Sequence, residues 1–491
     1  MRELYATEYN SDTHLDENLL YKTGLIDPVT LSKNLTYLWG KDSDMFPLLT
    51  ATQGQNAFKS LTPKELNDTQ YTWPVMGRTR WTTKVVALAD TNLSYPGLGF
   101  SNFDVIFEDN WIHYQYSAYS PDQLSQVRFQ SEPKKIGEKR YRVTVQLITS
   151  DPTAYVATTN FVAGQSWAMG PTSVAGQLSD GTTSNRMTPG KLTNQFGWQR
   201  YSKVISGNIA NKVTNIEFDL EGGGKTNMWL PVEMKQWEME RRMLDEVDLW
   251  TSEYNRTSTG IITTIDPETG LPIPKGAGVK QIIKVAGNYD TYSVLTKAKF
   301  DATARSVFDN RVDSTPMEVV LYTGRGGAEM FHNMLMGEAT EYVVAVGDKV
   351  VTGDSFLQFG AYFNKYKLID GRVITVRPCK MFDHGSLAQQ DRENGRMYNG
   401  YPLYSYNLVF VDHSMDEGGE RNVQLVAEAG REEIAGVYKG LTPLPAAWKA
   451  VLGRDAGQLS TTKDKASYEV MTSRGINFKN ATTSFWLEMS L

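Results

Sequence analysis

The sequence predicts an α+β protein that is organised around one long amphipathic helix. Residues 230–255 carry apolar side chains at spacings of three, four and seven, which is the period of a helix with one buried face. Residues 71–229 precede this helix and contain alternating apolar and polar runs separated by Gly- and Pro-rich turns, as strands do. Residues 261–491 mix both patterns and end in a strand, so helices and strands are expected in one layered fold.

The long helix has two chemically distinct sides. Its apolar stripe consists of Leu230, Met234, Trp237, Leu244, Val247, Trp250 and Tyr254, widened by Met239 and Met243. On the other side Glu238 precedes Arg242, Arg241 precedes Asp245 and Arg242 precedes Glu246 by four residues, so opposite charges can pair across one turn. We expect the charged side to face solvent or a neighbouring subunit. At about 1.5 Å per residue this helix is roughly 37 Å long, enough to cross a domain.

The overall composition limits the function classes that fit. The chain has 491 residues and a formal net charge of −6, which gives no basic surface of the kind that duplex-binding proteins need. Cys379 is the single cysteine, so an internal disulfide and a zinc site of several thiolates are excluded. The first twenty residues are charged, and no apolar run reaches membrane-spanning length, so neither a signal peptide nor a membrane partner is expected.

Five segments follow from these patterns. Residues 1–70 hold only short apolar pieces and are expected to form an arm that lies on the surface of another subunit. Residues 71–229 form a β-rich insertion, and residues 230–260 contain the long helix. Residues 261–380 form an α/β body, which residues 381–491 complete with returning strands.

Two glycine-rich stretches have partial similarity to phosphate-binding loops. Gly222–Thr226 resembles the end of a P-loop, but Asp219 stands where the leading glycine belongs, so we interpret it as a flexible turn. Thr323–Gly327 lies between a predicted strand and a predicted helix, as a dinucleotide site requires. Glu329 replaces the third glycine of that fingerprint and would repel a pyrophosphate, so a tight strand-to-helix turn is the preferred interpretation.

Residues with catalytic chemistry are present but form no recognised site. The histidines are His14, His113, His332, His384 and His413, and none has metal-ligand spacing to another. Asp383–Ser386 and Asp412–Ser414 contain the residue types of a hydrolytic triad without a strained nucleophile turn around either serine. Asp104, Glu108 and Asp109 do not single out a glycosidase pair. No catalytic, cofactor-binding or metal-binding residue is predicted, and no cofactor is expected.

The order of the segments resembles that of the Hong Kong 97-type major capsid proteins of tailed bacteriophages. Four phrases are similar to the major capsid proteins of crAss-like phages, namely Tyr71–Arg78 (YTWPVMGR), Asn227–Pro231 (NMWLP), Val320–Gly324 (VLYTG) and Asn480–Ser484 (NATTS). The resemblance covers essentially the whole chain. It implies an N-terminal arm, an extended β loop carrying an inserted β subdomain, a long spine helix, and peripheral and axial domains.

The resemblance also implies a function. It describes a non-enzymatic structural protein that assembles as hexamers and pentamers into the icosahedral head of a tailed phage, enclosing double-stranded DNA without binding it tightly. Expected partners are further copies of the chain and portal, scaffold and head-decoration proteins. The expected location is the virion, after assembly in the cytoplasm of the bacterial host.

Candidate intersubunit contacts are large or charged residues of the extended loop and the spine helix. They are Trp73, Arg78, Arg80, Trp81, Arg241, Arg242 and Glu246. A second hypothesis is a carbohydrate-binding or carbohydrate-cleaving β protein, because the chain has 25 Tyr and 11 Trp and sugars stack on aromatic faces. The missing signal peptide argues against it. A nucleotide-dependent enzyme is the third hypothesis.

Overall fold

A computed structural model describes most of the chain. The described residues are 48, 64–75, 81–181, 188–207, 213–219, 225–309, 319–345, 365–367, 373–415, 419–442 and 461–490. The chain divides into two compact units. The first comprises Met1–Trp73 and Leu192–Leu491, and the second comprises Pro74–Lys191, which falls within the predicted β-rich insertion.

The second unit is a closed β-barrel. Before this unit the chain forms β1 (Lys64–Leu66), which belongs to the first unit, and β2 (Gln70–Val75), most of which does. The strands of the second unit are β3 (Thr82–Leu88), β4 (Asn102–Phe107), β5 (Tyr116–Tyr119), β6 (Gln126–Phe129), β7 (Lys134–Gly137), β8 (Arg140–Leu147) and β9 (Ser166–Thr172). Strands pair in the order β4-β3-β9-β5-β6-β8, and β8 pairs again with β4, which closes the ring. β7 extends β8 as a hairpin. Closure leaves these six strands without a free edge.

The strict alternation of the sequence explains the barrel interior. Val143, Val145 and Leu147 of β8 point inward, as the period-two pattern of this strand requires. Aromatic side chains fill the centre, where the rings of Phe107 and Phe129 meet edge to face with centroids 5.7 Å apart. The barrel therefore has a hydrophobic core of its own.

The first unit contains the long helix and the mixed body. Its elements are β10 (Gly190–Gln195), β11 (Gly197–Ser206), β12 (Val213–Asp219), β13 (Lys225–Met228), α1 (Trp229–Thr251), α2 (Val279–Val285), β14 (Tyr289–Tyr292), α3 (Lys297–Asp309), β15 (Val319–Thr323), α4 (Arg325–Ala345), β16 (Lys365–Lys367), β17 (Val373–Pro378), α5 (Met381–His384), α6 (Ser386–Glu393), β18 (Met397–Tyr398), β19 (Tyr401–Pro402), β20 (Leu408–Asp412), β21 (Val423–Glu428), β22 (Glu433–Lys439), β23 (Lys465–Phe478) and β24 (Phe485–Met489). Helix α1 begins one residue before the predicted start and ends at Thr251, so Tyr254 lies beyond it.

A six-stranded mixed sheet forms the centre of the body, with the order β14-β24-β20-β15-β17-β16. Strands β15 and β20 are buried along their whole length, which explains their uninterrupted apolar sequences. Alternate residues of β15 face different cores. Val320 and Tyr322 pack in one core with Trp250 of α1, whereas Val319 and Leu321 pack in the core that contains residues of α3 and α4.

A second sheet is built on the 14-residue strand β23. One side of β23 pairs with β11, and the other side pairs with β21 and β22. Helix α1 contacts this sheet through Trp237, whose ring centroid lies 5.9 Å from that of Tyr468. Helices and strands thus pack in layers, and the predicted α+β class is confirmed. Among the described residues, no helix combines the length and the apolar character that a membrane span requires.

Candidate assembly interface

The predicted charged side of α1 is largely buried against the chain itself. Arg241 is 3% exposed, and Asp245 and Glu246 are also buried. The Arg241 guanidinium lies 3.7 Å from the Asp245 carboxylate and 3.4 Å from the Glu433 carboxylate of β22. Conversely, Leu244 of the predicted apolar stripe is 48% exposed. The expectation that this side faces solvent or a neighbour is therefore corrected for Arg241, Asp245 and Glu246, which contact their own subunit.

Asp245 is the centre of a polar network between α1 and the second sheet. The Tyr201 hydroxyl of β11 donates to Asp245 Oδ1 at 2.9 Å, and Arg474 of β23 lies 3.7 Å from Oδ2. Burial raises the pKa of Asp245 above its ordinary value, and the nearby Arg474 charge opposes this shift. Burial and the Asp245 charge also raise the pKa of Tyr201. The network therefore links α1 to two strands of the second sheet.

Glu246 accepts one hydrogen bond from within α1 and one from an earlier part of the chain. Its Oε1 atom accepts hydrogen bonds from the indole Nε1 of Trp250 and from the backbone N–H of Leu48, both at 2.8 Å. Leu48 is fully buried in the core beside α1. A buried carboxylate is stable only with such donors, so Glu246 serves the subunit framework.

The remaining predicted intersubunit contacts differ in how exposed their side chains are. Trp81 is 61% exposed in the second unit, and Arg242 is partly exposed with Glu238 as its ion-pair partner. Trp73 is partly buried, and its ring stacks on Tyr71 with centroids 6.1 Å apart. Arg78 and Arg80 lie outside the described residues.

The raised pKa of Asp245 predicts a pH dependence of stability. Because the folded state binds this proton more tightly than the unfolded state, the contribution favours folding at low pH and is lost as pH rises above the ordinary aspartate value of about 4. In Asp245→Asn, the free energy of unfolding should therefore fall less than in the wild type between pH 4 and 7. Urea denaturation at several pH values measures this difference, and parallel curves for the two proteins would contradict it.

At the predicted strand-to-helix turn, Thr323–Gly327, a carboxyl group from a later part of the chain lies at the start of α4. Both carboxylate oxygens of Asp383 accept hydrogen bonds from the backbone N–H of Arg325, at 2.9 and 3.0 Å. Ser405 donates to Asp383 at 2.6 Å and accepts from the Gly326 N–H at 2.8 Å. The negative charge that a helix N-terminus favours is thus supplied by the chain. This turn is the tight connection that the sequence predicted.

The glycines of this turn are required by close neighbours. A Cβ atom on Gly327 would lie 2.0 Å from Thr323 Oγ1 and 3.1 Å from the Ser405 carbonyl oxygen. Gly327→Ala should therefore destabilise the protein by about 1–3 kcal/mol. Gly436→Ala is the control, because a Cβ there meets no atom within 4 Å. Chemical denaturation of the two unassembled variants measures their free energies of unfolding. Equal values would show that the backbone of the turn shifts to accommodate the added methyl group.

The other residues with metal-binding or catalytic chemistry form no metal site where the structure describes them, and His413 and Cys379 are buried. Among the described residues, no group of three or more His, Cys, Asp or Glu side chains has the geometry of a metal site. His413 is buried beside Tyr322, whose hydroxyl lies 3.0 Å from Nε2, and burial lowers the pKa of His413 to about 3. Cys379 is buried as well. Most of Gly222–Thr226 lies outside the described residues.

The sequence patterns did not reveal the partners of these buried groups. Asp383 is 58 residues from Arg325, and Glu433 is 192 residues from Arg241. Spacing along one helix predicts which residues share a side, but not which distant strand covers that side. A charged pair on a helix therefore gave no local signal that distinguishes a surface pair from a buried one.

Comparison with known proteins identifies the kind of protein that has this architecture. A family model described as "Crassvirus major capsid protein" matches residues 4–491. The match spans nearly the whole chain and defines a structural protein of a phage capsid. The chain belongs to the Crassvirus major capsid protein family. The resemblance found in the sequence is thereby confirmed, and the structural hypothesis is preferred to the carbohydrate hypothesis.

Remote similarity to solved structures was also found. A structure from Mycobacterium phage Adephagia is 9% identical, with 98% of this chain and 99% of that chain covered and a TM-score of 0.37. One from Microbacterium phage Oxtober96 is 10% identical, with coverages of 94% and 96% and a TM-score of 0.36. The capsid asymmetric unit of cyanophage Pam1 is 10% identical, with coverages of 65% and 82% and a TM-score of 0.32. Curated protein sequences gave no significant match.

Family membership has direct consequences for this chain. As a major capsid protein it associates with copies of itself in the capsid lattice, and it is a component of the virion. The described order of β insertion, long helix and mixed body is the order expected for a Hong Kong 97-type fold. Contacts between copies of the chain are therefore part of its function.

Proposed function

We propose that copies of this chain assemble as hexamers and pentamers into a closed icosahedral shell that encloses double-stranded DNA. The observation that carries the proposal is the family match across residues 4–491. The net charge of −6 supports a container that does not bind its cargo tightly, since tight duplex binding requires a basic surface. The shell forms in the cytoplasm of the bacterial host, and portal, scaffold and head-decoration proteins complete the head.

The proposal gives the chain no catalytic role. Its buried carboxylates serve its own framework: Asp245 binds Tyr201, Glu246 binds Trp250, and Asp383 caps α4. Such a framework supplies rigid subunits, which a shell needs because small angular errors accumulate from one copy to the next.

The interface in this proposal includes the arm, residues 1–70, and the extended loop, residues 71–229. Extended segments bury more area than a compact subunit does, and obligate interfaces commonly exceed roughly 2,000 Å². Trp81 and Arg242 are the predicted contacts whose described side chains are accessible to a neighbour. Arg78 and Arg80 belong to the same proposal.

Truncation of the arm tests the interface. Deletion of residues 1–40 spares Leu48, which packs beside α1, so the truncated subunit should fold. It should fail to form stable shells, because the contacts of the arm with neighbouring copies are lost. Circular dichroism checks the fold, and electron microscopy counts shells against the full chain under identical conditions. Intact shells in normal yield from the truncated chain would remove residues 1–40 from the interface.

A further inference from the structure

Strand β22 lies at an edge of the second sheet. Among the strands that the structure describes, its single neighbour is β23. Backbone hydrogen bonds at the two ends fix which residues point toward β23: Ser473 N–H donates to the Glu432 carbonyl at 3.2 Å, and Gly440 N–H donates to the Lys465 carbonyl at 2.9 Å. Because residues of an antiparallel strand alternate, the even-numbered positions direct their N–H and C=O groups to β23. The odd-numbered positions direct theirs away from the sheet.

The edge therefore presents backbone groups that no described strand pairs with. The N–H and C=O groups of Ala435 and Val437 point outward, and the Lys439 carbonyl accepts from Thr461 N–H at 3.3 Å where the edge ends. Ile434 and Tyr438 of this strand are 44% and 56% exposed. An open edge flanked by exposed apolar side chains is a template for another strand.

The sequence of β22, Glu-Ile-Ala-Gly-Val-Tyr-Lys, is complementary to itself when reversed. In an antiparallel pair centred on Gly436, Glu433 lies opposite Lys439 of the second copy, and Ile434 lies opposite its Tyr438. The outward-facing Ala435 and Val437 then form the hydrogen-bonded pairs. Opposite charges and aromatic–β-branched pairs are favourable cross-strand neighbours. The hydrogen-bonding pattern, the opposite charges and the apolar contacts therefore all favour the antiparallel pair centred on Gly436.

The residue at the centre fits a close approach of two backbones. Gly436 has no side chain, and a Cβ placed on it would meet no atom of the described residues within 4 Å, so none of them requires a glycine there. Glycine within a strand often marks a position where another backbone comes close. At the centre of a two-fold pair, residue 436 of each copy would face its equivalent.

We propose that β22 of one copy pairs antiparallel with β22 of a second copy, across a two-fold axis at Gly436. The contact is isologous, so each copy contributes the same surface, and it joins two β23-centred sheets into one. The inference rests on the proposed shell function and names one of the contacts that such a shell would use.

Cysteine crosslinking of the assembled full chain tests the axis. Gly436→Cys places two thiols in a non-hydrogen-bonded pair whose Cα atoms are about 4.5 Å apart, within disulfide range. Oxidised glutathione accepts the two electrons as the two thiols form a disulfide, and a non-reducing gel should show covalent dimers. Ile434→Cys is the matched control, because its equivalents are four residues out of register, roughly 13 Å apart. The wild type controls for Cys379, which is buried.

The outcomes separate this inference from the proposed function. Dimers of Gly436→Cys alone support the two-fold pair. Shells without that crosslink, or equal crosslinking of Ile434→Cys, overturn it while leaving the shell function intact. A wild-type chain that forms no assemblies contradicts the shell function instead.

A proline variant provides an independent test. In Ala435→Pro the lost N–H points away from β23, so the fold should persist, and an edge strand tolerates proline. The variant removes one donor from each copy and should weaken the association of two copies at this contact about tenfold, which lowers the amount assembled near the threshold concentration. Ala435→Ser, which keeps the backbone donor, should assemble as the wild type does. Normal assembly of a folded Ala435→Pro chain would overturn the inference.

Discussion

Trp250→Ala should lower the free energy of unfolding by about 3–5 kcal/mol, the range for truncating a buried tryptophan. Trp250 is fully buried, and its ring lies 5.5 Å from those of Tyr322 and Phe382 and 6.1 Å from that of Trp486. The truncation leaves a cavity where α1 meets the central sheet. It also removes the indole donor to the buried carboxylate of Glu246.

Two variants of the same helix or position control this experiment. Leu244→Ala removes a half-exposed side chain and should change stability by about 0.5 kcal/mol or less. Trp250→Phe keeps an aromatic ring but loses both the N–H and part of the ring volume, so its effect sets an upper limit on the contribution of the bond to Glu246. Urea denaturation followed by circular dichroism gives all three values. If Trp250→Ala lowers the free energy of unfolding no more than Leu244→Ala does, packing around Trp250 does not stabilise the position of α1.

The adjacent arginines of α1 should respond very differently to the same substitution. Arg241→Met should destabilise the subunit by about 3–5 kcal/mol, because it leaves buried Asp245 with one fewer cation. Arg242→Met removes a partly exposed pair with Glu238 and should cost about 0–1 kcal/mol. Methionine retains much of the aliphatic packing in both variants, so the comparison isolates the charge.

A second substitution checks the cause of the Arg241 effect. Asp245→Asn added to Arg241→Met removes the carboxylate that lost its partner, so part of the stability should return. Denaturation of the two single variants and the double variant completes the cycle. Equal losses for Arg241→Met and Arg242→Met would place Arg241 outside the buried network.

The sequence predicted the helices and strands of this fold better than it predicted which distant residues pack against them. The apolar period located α1 to within a few residues at each end, and strict alternation in β8 correctly predicted a strand with one buried side. Both signals are local, because they depend on side chains a few positions apart. The sequence did not predict that the barrel closes, since closure depends on the pairing of β4 with β8.

Burial of the charged groups shows the same limit. The four-residue spacing of Arg241 and Asp245 is present in the structure as an ion pair, yet the pair lies under β23 rather than in solvent. The turn at Thr323–Gly327 was predicted, but its cap, Asp383, comes from a distant helix. Residues that contact a second copy are harder still to predict. Their side chains match a surface of another molecule, and this match produces no regular spacing in the sequence of one chain.

The most direct test of the central claim is sedimentation velocity of the purified full-length chain, with negative-stain microscopy of any fast-sedimenting fraction. A protein that forms a shell from its own copies should give capsomers, sheets or closed particles whose amount rises with concentration. A species that stays strictly monomeric across the concentration range, including in the presence of the proposed scaffold and portal proteins, would contradict the account.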